Sequence, residues 1–298
     1  MLRRTLPFCL LLSVVACAAA ADPIPGVGPA GQVKKVHGGL QFTEGPAWDG
    51  QGLLYFTDIP ADRIHKTDGQ KLEVFVEPAG HCNGLMIDAA GTVYACSMDG
   101  ALVSFDAKTG EKTVLAGEYE GKRFNAPNDL VIDRAGGVYF TDPRFRAPEP
   151  WPQGIEAVYY RDANGTVTRV IDGLNQKAPN GVILSPDEKT LYVVCSMQAE
   201  VMAYPVEAPG KLGEGKAFAS LKQRTGGSGS GPGSGGDGLT VDAKGNLYIT
   251  SGLGVQVFSP EGKLLGVIEL PEQPANVTFG GPDRKTLYAT ARTSLYAV

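Results

Sequence analysis

Basic residues are scarce in this chain, and those that it has are not clustered. The 298 residues include 27 lysines and arginines against 32 aspartates and glutamates, which gives a formal net charge of −5. A protein that binds nucleic acid normally presents a basic stripe to the phosphate backbone, and no such run occurs here. The charge therefore argues against a nucleic-acid partner, and the 43% hydrophobic content fits an ordinary globular domain.

No apolar run in the sequence is long enough to cross a bilayer, which takes about 20 helical residues. An apolar run at residues 6–16 follows two arginines and precedes Cys17 and four alanines, which is typical of a signal peptide over residues 1–21. A second interpretation is a lipoprotein signal cleaved before Cys17, whose lipid would then anchor the protein. Both interpretations predict export, to the periplasm or outside the cell, with residues 22–32 as a linker.

Cysteine is also rare, and the number that remains after export is odd. Cleavage after residue 21 would leave Cys82, Cys96 and Cys195, so a complete disulfide framework is excluded. Cys82 and Cys96 would meet if their strands paired, but buried free thiols are the preferred interpretation for all three.

What the sequence does contain is a sixfold repeat. A tyrosine within a short β-forming run recurs at Tyr55, Tyr94, Tyr139, Tyr192, Tyr248 and Tyr288. Each run follows a turn rich in Gly, Asp or Lys, and an acidic residue or asparagine opens the strand before that turn. These openers are Glu44, Asn83, Asn128, Asn180, Asp237 and Asn276, each 11 or 12 residues before its tyrosine. Constant inner hairpins with variable outer segments predict an all-β, six-bladed β-propeller over residues 33–298.

The ends of the chain predict how this ring closes. Blade one shows four strands, at residues 45–48, 53–58, 63–66 and 71–75. Blade six has only three before the chain stops, at residues 275–279, 287–291 and 294–298. We expect residues 33–40 to supply its missing outer strand, because closure removes exposed edges. A closed ring needs no partner to cover those edges, so a monomer is expected.

The six openers predict a ring of oxygen ligands at one end of the central channel, because every innermost strand starts at the same end. For each asparagine by itself, an Asx-turn or an Asn-Gly turn is the preferred explanation. Glu44 has no such turn role, and an unpaired glutamate in the channel would be costly. The core of the predicted site is therefore Glu44, Asn180 and Asp237. Oxygen ligands predict one divalent cation, calcium first, with magnesium, manganese or zinc as alternatives.

Four segments also resemble the SMP-30/gluconolactonase family. They are residues 44–48 (EGPAW), 123–130 (RFNAPNDL), 179–181 (PNG) and 237–239 (DGL), in the family's order. The resemblance covers nearly the whole mature chain and implies a six-bladed propeller with metal-dependent lactonase activity. It implies metal ligands at Glu44, Asn180 and Asp237, and either a fourth ligand or a substrate contact at Asn128. It places a substrate-binding arginine at Arg123, in a motif that can be aligned in two ways, and Asn83 is a further candidate substrate contact.

The resulting hypothesis is hydrolysis of a small sugar-acid lactone, with Asp237 as the general base and Glu44 as a pure ligand. One alternative is an esterase or organophosphate hydrolase on the same metal. Another is a non-catalytic propeller that binds a ligand and is stabilised by calcium. Two segments bear on access to the site: the Gly/Ser-rich stretch 225–236, as a surface loop or a flap, and the proline-rich loop 143–152, as a pocket wall or surface packing.

Overall fold

The computed structural model describes residues 24, 27, 31–226 and 235–298 of the chain. The predicted signal segment, including Cys17, lies outside the described residues, as does most of the Gly/Ser-rich stretch. Within the described ranges the regular structure is entirely β-strand. Consequently, the described residues contain no apolar helix of the length that a membrane span requires.

Strands of the described chain form six sheets that are the blades of a propeller. The strand preceding the first blade is β1 (Lys34–His37). The first blade is β2 (Thr43–Trp48), β3 (Leu54–Asp58), β4 (Arg63–Thr67) and β5 (Leu72–Val76). The second blade is β6 (Cys82–Ile87), β7 (Thr92–Ser97), β8 (Ala101–Asp106) and β9 (Lys112–Ala116). A hairpin of β10 (Glu118–Tyr119) and β11 (Lys122–Arg123) leads to the third blade, β12 (Leu130–Ile132), β13 (Val138–Asp142), β14 (Ala157–Arg161) and β15 (Val167–Ile171).

The second half of the ring repeats the pattern. The fourth blade is β16 (Pro179–Leu184), β17 (Thr190–Cys195), β18 (Glu200–Ala208), β19 (Lys211–Leu212) and β20 (Lys216–Ser220), with β18 pairing both β19 and β20. The fifth is β21 (Leu239–Val241), β22 (Leu247–Ser251), β23 (Gly254–Phe258) and β24 (Leu264–Ile268). The sixth is β25 (Pro274–Gly280), β26 (Thr286–Ala291) and β27 (Ser294–Ala297). The six repeated tyrosines all lie on the second strand of a blade, as predicted.

The ring closes as the sequence predicts. β1 pairs antiparallel with β27, with Lys35 opposite Tyr296, and so supplies the outer strand of the sixth blade. The innermost strands also contact each other in turn around the axis, and β2 contacts β25 to complete the circle. Closure leaves the central channel as the place where distant parts of the chain meet.

Apolar side chains fill the spaces between blades rather than one central core. A buried cluster joins Tyr139 and Val158 of the third blade to Val182 and Val193 of the fourth, and equivalent clusters join other neighbours. Successive side chains of a strand point to opposite faces, so each blade packs against both of its neighbours. Burial between blades therefore fixes the direction in which each innermost strand enters the channel.

Threonines two residues after the repeated tyrosine tie adjacent blades together. The hydroxyl of Thr57 donates to the main-chain oxygen of Asn83 over 3.0 Å, and that of Thr141 donates to the oxygen of Asn180 over 2.7 Å. Both threonines are fully buried, where a bond to a main-chain acceptor counts most. The bonds hold the opener of the following blade at a fixed height in the channel.

The cysteines and two strand-terminal aspartates behave as structural groups. Cys82, Cys96 and Cys195 are free and buried, which confirms the preferred interpretation. Burial raises the pKa of the Cys82 thiol to about 12, so it stays protonated. Asp58 accepts hydrogen bonds from the main-chain N–H groups of residues 41 and 42, and Asp142 accepts them from those of residues 125 and 126.

Candidate metal centre and substrate cavity

The six openers lie at, or just before, the start of the innermost strands, at one end of the channel. In β2, β6, β16 and β25 the strand pairing slips beside the opener, which is the signature of a β-bulge. A bulge bends the strand and re-aims a side chain, and bulges are common beside functional sites. The bulges therefore help to turn these polar side chains out of the sheet pattern and into the channel.

Glycines that follow the openers allow the innermost strands to approach closely. A Cβ at Gly45 would lie 2.0 Å from the main-chain oxygen of Asn83, and the φ of Gly45 is +46°. A Cβ at Gly84 would lie 2.8 Å from the main-chain oxygen of Asn128, to which the Gly84 N–H donates over 2.7 Å. The sequence presents Asn83-Gly84 as a turn former, whereas in the structure this glycine makes room for the next blade.

Five of the six openers line a cavity of about 320 Å³. Its polar lining is Glu44, Asn83, Asn128, Asn180, Asp237 and Ser196. Its remaining lining is Phe42, Ile59, Pro60, Met98, Phe145 and Arg146. Glu44 and the three asparagines are buried, Asp237 and Ser196 are half-buried, and Phe145 and Arg146 are exposed. The polar groups therefore lie deeper than the two loop residues, which lie at the opening. Apolar wall residues combined with convergent polar groups are common in small-molecule sites.

Glu44 is a carboxylate held in an unfavourable environment. Only 3% of the residue is exposed, and burial together with the nearby charge of Asp237 raises its pKa well above the usual range. The N–H of Gly45 donates to its Oε2 over 2.9 Å, and the side chain of Asn276 donates a second hydrogen bond. Asn276 thus supports Glu44 and does not line the cavity.

Asp237 is the second carboxylate of the cavity. Burial raises its pKa to about 7, although a hydrogen bond from Asn180 and the charge of Arg292 oppose this rise. The same Asn180 amide donates to Ser196 Oγ over 3.0 Å. With its N–H groups directed to Ser196 and Asp237, Asn180 keeps its amide oxygen free of donors in the described part of the chain. That oxygen is available as a ligand.

Asn128 and Asn83 complete the amide set. Asn128 is 4% exposed, and its main-chain N–H and C=O are both bonded, so the side chain alone is free to meet a ligand. The Asn83 amide has a 3.9 Å contact with Met98 Sδ. Asp129, which the sequence analysis did not single out, is fully enclosed beside this ring, and burial raises its pKa to about 7.

The donor chemistry of the cavity fits a hard divalent cation. Two carboxylates and amide oxygens from separate blades meet there, and no ion pair within the described ranges links either carboxylate to a cationic side chain. Residues with placed side chains include no metal-binding group of three His, Cys, Asp or Glu. A bound ion would therefore need amide oxygens as well as Glu44 and Asp237, as calcium sites commonly do.

Arg123 is not brought to this cavity. It ends β11 on the surface, and its guanidinium donates to the main-chain oxygens of Phe124 and Asn125. These two hydrogen bonds and the packing against Gly100 occupy its side chain, which does not line the cavity. Its substrate-binding role stays a prediction drawn from the family motif.

The proline-rich loop 143–152 takes part in both of its predicted roles. Phe145 and Arg146 line the cavity opening, as expected of a pocket wall, although the sequence did not single out Arg146. Arg144 points elsewhere: its Nε lies 3.6 Å from the Oε1 of buried Glu156, and its guanidinium stacks over Trp151. The packed half of the loop holds the other half beside the site.

Comparison with known proteins gives a consistent result. A family model described as an SMP-30/Gluconolactonase/LRE-like region matches residues 42–293. A gluconolactonase of Zymomonas mobilis is 30% identical over 292 residues, covering 89% of this chain and 80% of the relative. A pentonolactonase of Haloferax volcanii is 29% identical over 256 residues, covering 83% and 80%.

Solved structures agree with the fold. A gluconolactonase from Xanthomonas campestris superposes with a TM-score of 0.80 at 31% identity, covering 89% of this chain and 88% of that one. A calcium-binding protein, regucalcin, from Agrobacterium tumefaciens superposes with a TM-score of 0.73 at 24% identity, covering 90% and 93%. The second likeness bears on the fold alone.

Proposed function

Because the chain belongs to the SMP-30/gluconolactonase/LRE-like family, we propose that it hydrolyses the ester bond of a small sugar-acid lactone. The relatives named gluconolactonase and pentonolactonase support this reaction class. The observation that carries the proposal is the cavity itself. It brings two carboxylates and three amides from five blades together beside apolar wall residues, at a volume suited to a six-carbon lactone.

The proposed metal ligands are Glu44, Asn128, Asn180 and Asp237, with calcium as the first expected ion and magnesium, manganese or zinc as alternatives. The donor set supports a hard cation because all of its atoms are oxygens. The raised pKa values of Glu44 and Asp237 support it as well, since a cation would offset their repulsion and burial. When bound, a divalent cation supplies Lewis-acid polarisation of the lactone carbonyl.

Asp237 is the proposed catalytic base. Its carboxylate takes a proton from the attacking water while the water oxygen bonds to the carbonyl carbon. It returns that proton to the ring oxygen when the ring C–O bond breaks, so the product is the open hydroxy acid. A carboxylate that binds a cation through one oxygen keeps its second oxygen free to accept the proton of the water.

Amide and apolar residues of the cavity orient the substrate. The amides of Asn83 and Asn128 can donate hydrogen bonds to the oxyanion that develops at the lactone carbonyl. Apolar side chains at Phe42, Met98 and Phe145 exclude water from the rest of the cavity, which strengthens each of these polar contacts. Glu44 acts only as a ligand, held in place by Gly45 and Asn276.

The test is lactone hydrolysis by the purified mature protein, with and without a chelator. Acid release from glucono-1,5-lactone should stop on chelation and return with calcium, and Asp237→Asn should abolish it. Asp99→Asn is the matched control, because Asp99 is exposed and outside the cavity. Turnover of aryl esters alone would favour the esterase alternative. A lower melting temperature on chelation, without turnover of any lactone, would favour a structural calcium site.

Export and a monomeric state are proposed on the sequence pattern and the closed ring. N-terminal sequencing of the secreted or periplasmic protein should give residue 22, whereas membrane association lost in Cys17→Ala would indicate a lipoprotein. Light scattering should give the mass of one chain. Retention of residues 1–21 in the mature protein would contradict the export proposal.

A further inference from the structure

The cavity opening carries a cationic side chain whose hydrogen-bonding groups are unused. Arg146 lines the cavity and is exposed at its mouth. Within the part of the chain that the structure describes, its guanidinium makes no hydrogen bond, ion pair or ring contact. An arginine presents five N–H donors in a planar fork that matches carboxylate, sulfonate and phosphate groups.

Two neighbouring arginines differ from Arg146 because their guanidinium groups contact other side chains of the protein. Arg144 pairs with Glu156 at 3.6 Å and stacks 4.3 Å from the Trp151 ring. Arg292 donates to Gln273 Oε1 over 2.8 Å and packs over a cavity-lining phenylalanine. The loop that carries Arg146 is thus held by its neighbour, while Arg146 itself remains available.

Arg146 is not explained as a counter-ion for the carboxylates of the cavity. Neither Glu44 nor Asp237 forms an ion pair with it in the described ranges, and the cation that eases the burial of Asp237 is Arg292. The acidic groups lie deep in the cavity and Arg146 lies at the mouth. Among the described lining residues, Arg146 is the cationic side chain, so a ligand that spans the cavity would meet it at its outer end.

We propose that Arg146 selects lactones that carry an anionic group, a carboxylate, sulfonate or phosphate, at the end of the molecule away from the ester carbonyl. The inference rests on the proposed function, which places the ester carbonyl among the polar groups at the deep end. The remaining length of a six-carbon lactone then directs its far substituent to the mouth. Phe145 beside Arg146 leaves the anion partly desolvated, which strengthens the contact.

The kinetic test compares three lactones: glucono-1,5-lactone, which is neutral, glucaric acid monolactone and 6-phosphogluconolactone. Arg146→Gln should lower kcat/KM for one or both anionic lactones by about tenfold or more, with the neutral lactone changed less than about twofold. The anionic lactone that loses more kcat/KM in Arg146→Gln shows whether Arg146 favours a carboxylate or a phosphate. Arg146→Lys should recover part of the loss, and the surface variant Arg134→Gln should behave as wild type. An equal loss on all three lactones, or no loss, would overturn the proposal.

A binding measurement separates this inference from the proposed function. Calorimetry with glucuronate and its neutral isostere glucuronamide uses ligands that cannot be hydrolysed as lactones. Wild type should bind glucuronate about tenfold more tightly, and Arg146→Gln should remove the difference. If no lactone is hydrolysed but this difference appears, the proposed reaction is wrong and the anion site stands. If lactones are hydrolysed but Arg146→Gln changes neither the kinetic preference nor the binding preference for anions, only the anion site is wrong.

Discussion

Gly45 lies where the innermost strand of the first blade touches that of the second, and its replacement by alanine measures that contact. Two costs are expected. A non-glycine residue at a φ of +46° costs about 1–2 kcal/mol, because its Cβ crowds the following carbonyl. The new Cβ would also lie 2.0 Å from the Asn83 oxygen, and relieving such overpacking typically costs about 1–3 kcal/mol. Gly45→Ala should therefore destabilise the protein by about 2–5 kcal/mol.

Two other glycines separate these costs. Gly91→Ala should show the backbone cost alone, since φ is +87° and a Cβ there would meet no described atom within 4 Å. Gly84→Ala should show the steric cost alone, since its φ is ordinary and its Cβ would lie 2.4 Å from Asp129 Oδ1 and 2.8 Å from the Asn128 oxygen. Urea denaturation in excess chelator gives the free energy of unfolding of each variant. If Gly45→Ala is no less stable than Gly91→Ala, the close approach of the two blades is not what requires glycine.

Three further predictions concern the site and its supports. The raised pKa of Asp237 means that the folded, metal-free protein keeps a proton that the unfolded chain has lost, so stability should fall as pH rises from about 4 through 7. Melting curves in chelator should show this fall in wild type and less of it in Asp237→Asn, and identical curves would contradict it. Thr141→Val should lower the free energy of unfolding by about 1–2 kcal/mol in urea denaturation, because it leaves the buried main-chain oxygen of Asn180 without its donor. An unchanged free energy would show that water replaces the hydroxyl. Arg144→Gln should lower the free energy of unfolding by about 1–2 kcal/mol, because it leaves buried Glu156 without its cation. Adding Glu156→Gln should recover most of that loss. A double variant as unstable as Arg144→Gln would refute the pairing.

The amide openers show how one residue can have both a local and a distant role. In the sequence each asparagine is a plausible turn former, and the structure does use main-chain bonds at Asn128 to fix the local path. Its side chain nevertheless lines the cavity with Glu44 and Asp237. A turn preference and a ligand position are therefore compatible at the same residue, because the main chain makes the local hydrogen bonds while the side chain lines the cavity.

The sequence by itself determined the number of blades, the strand that closes the ring and the openers that meet at the channel. These follow from local patterns, because β-forming runs, turns and their constant spacing are properties of short segments. Only the tertiary structure decided which polar residues line the cavity: Asn276 is turned to support Glu44, Arg123 is held on the surface, and Arg146 is brought to the mouth. Those outcomes depend on contacts between blades that are far apart in the chain, so no short segment contains the information that fixes them.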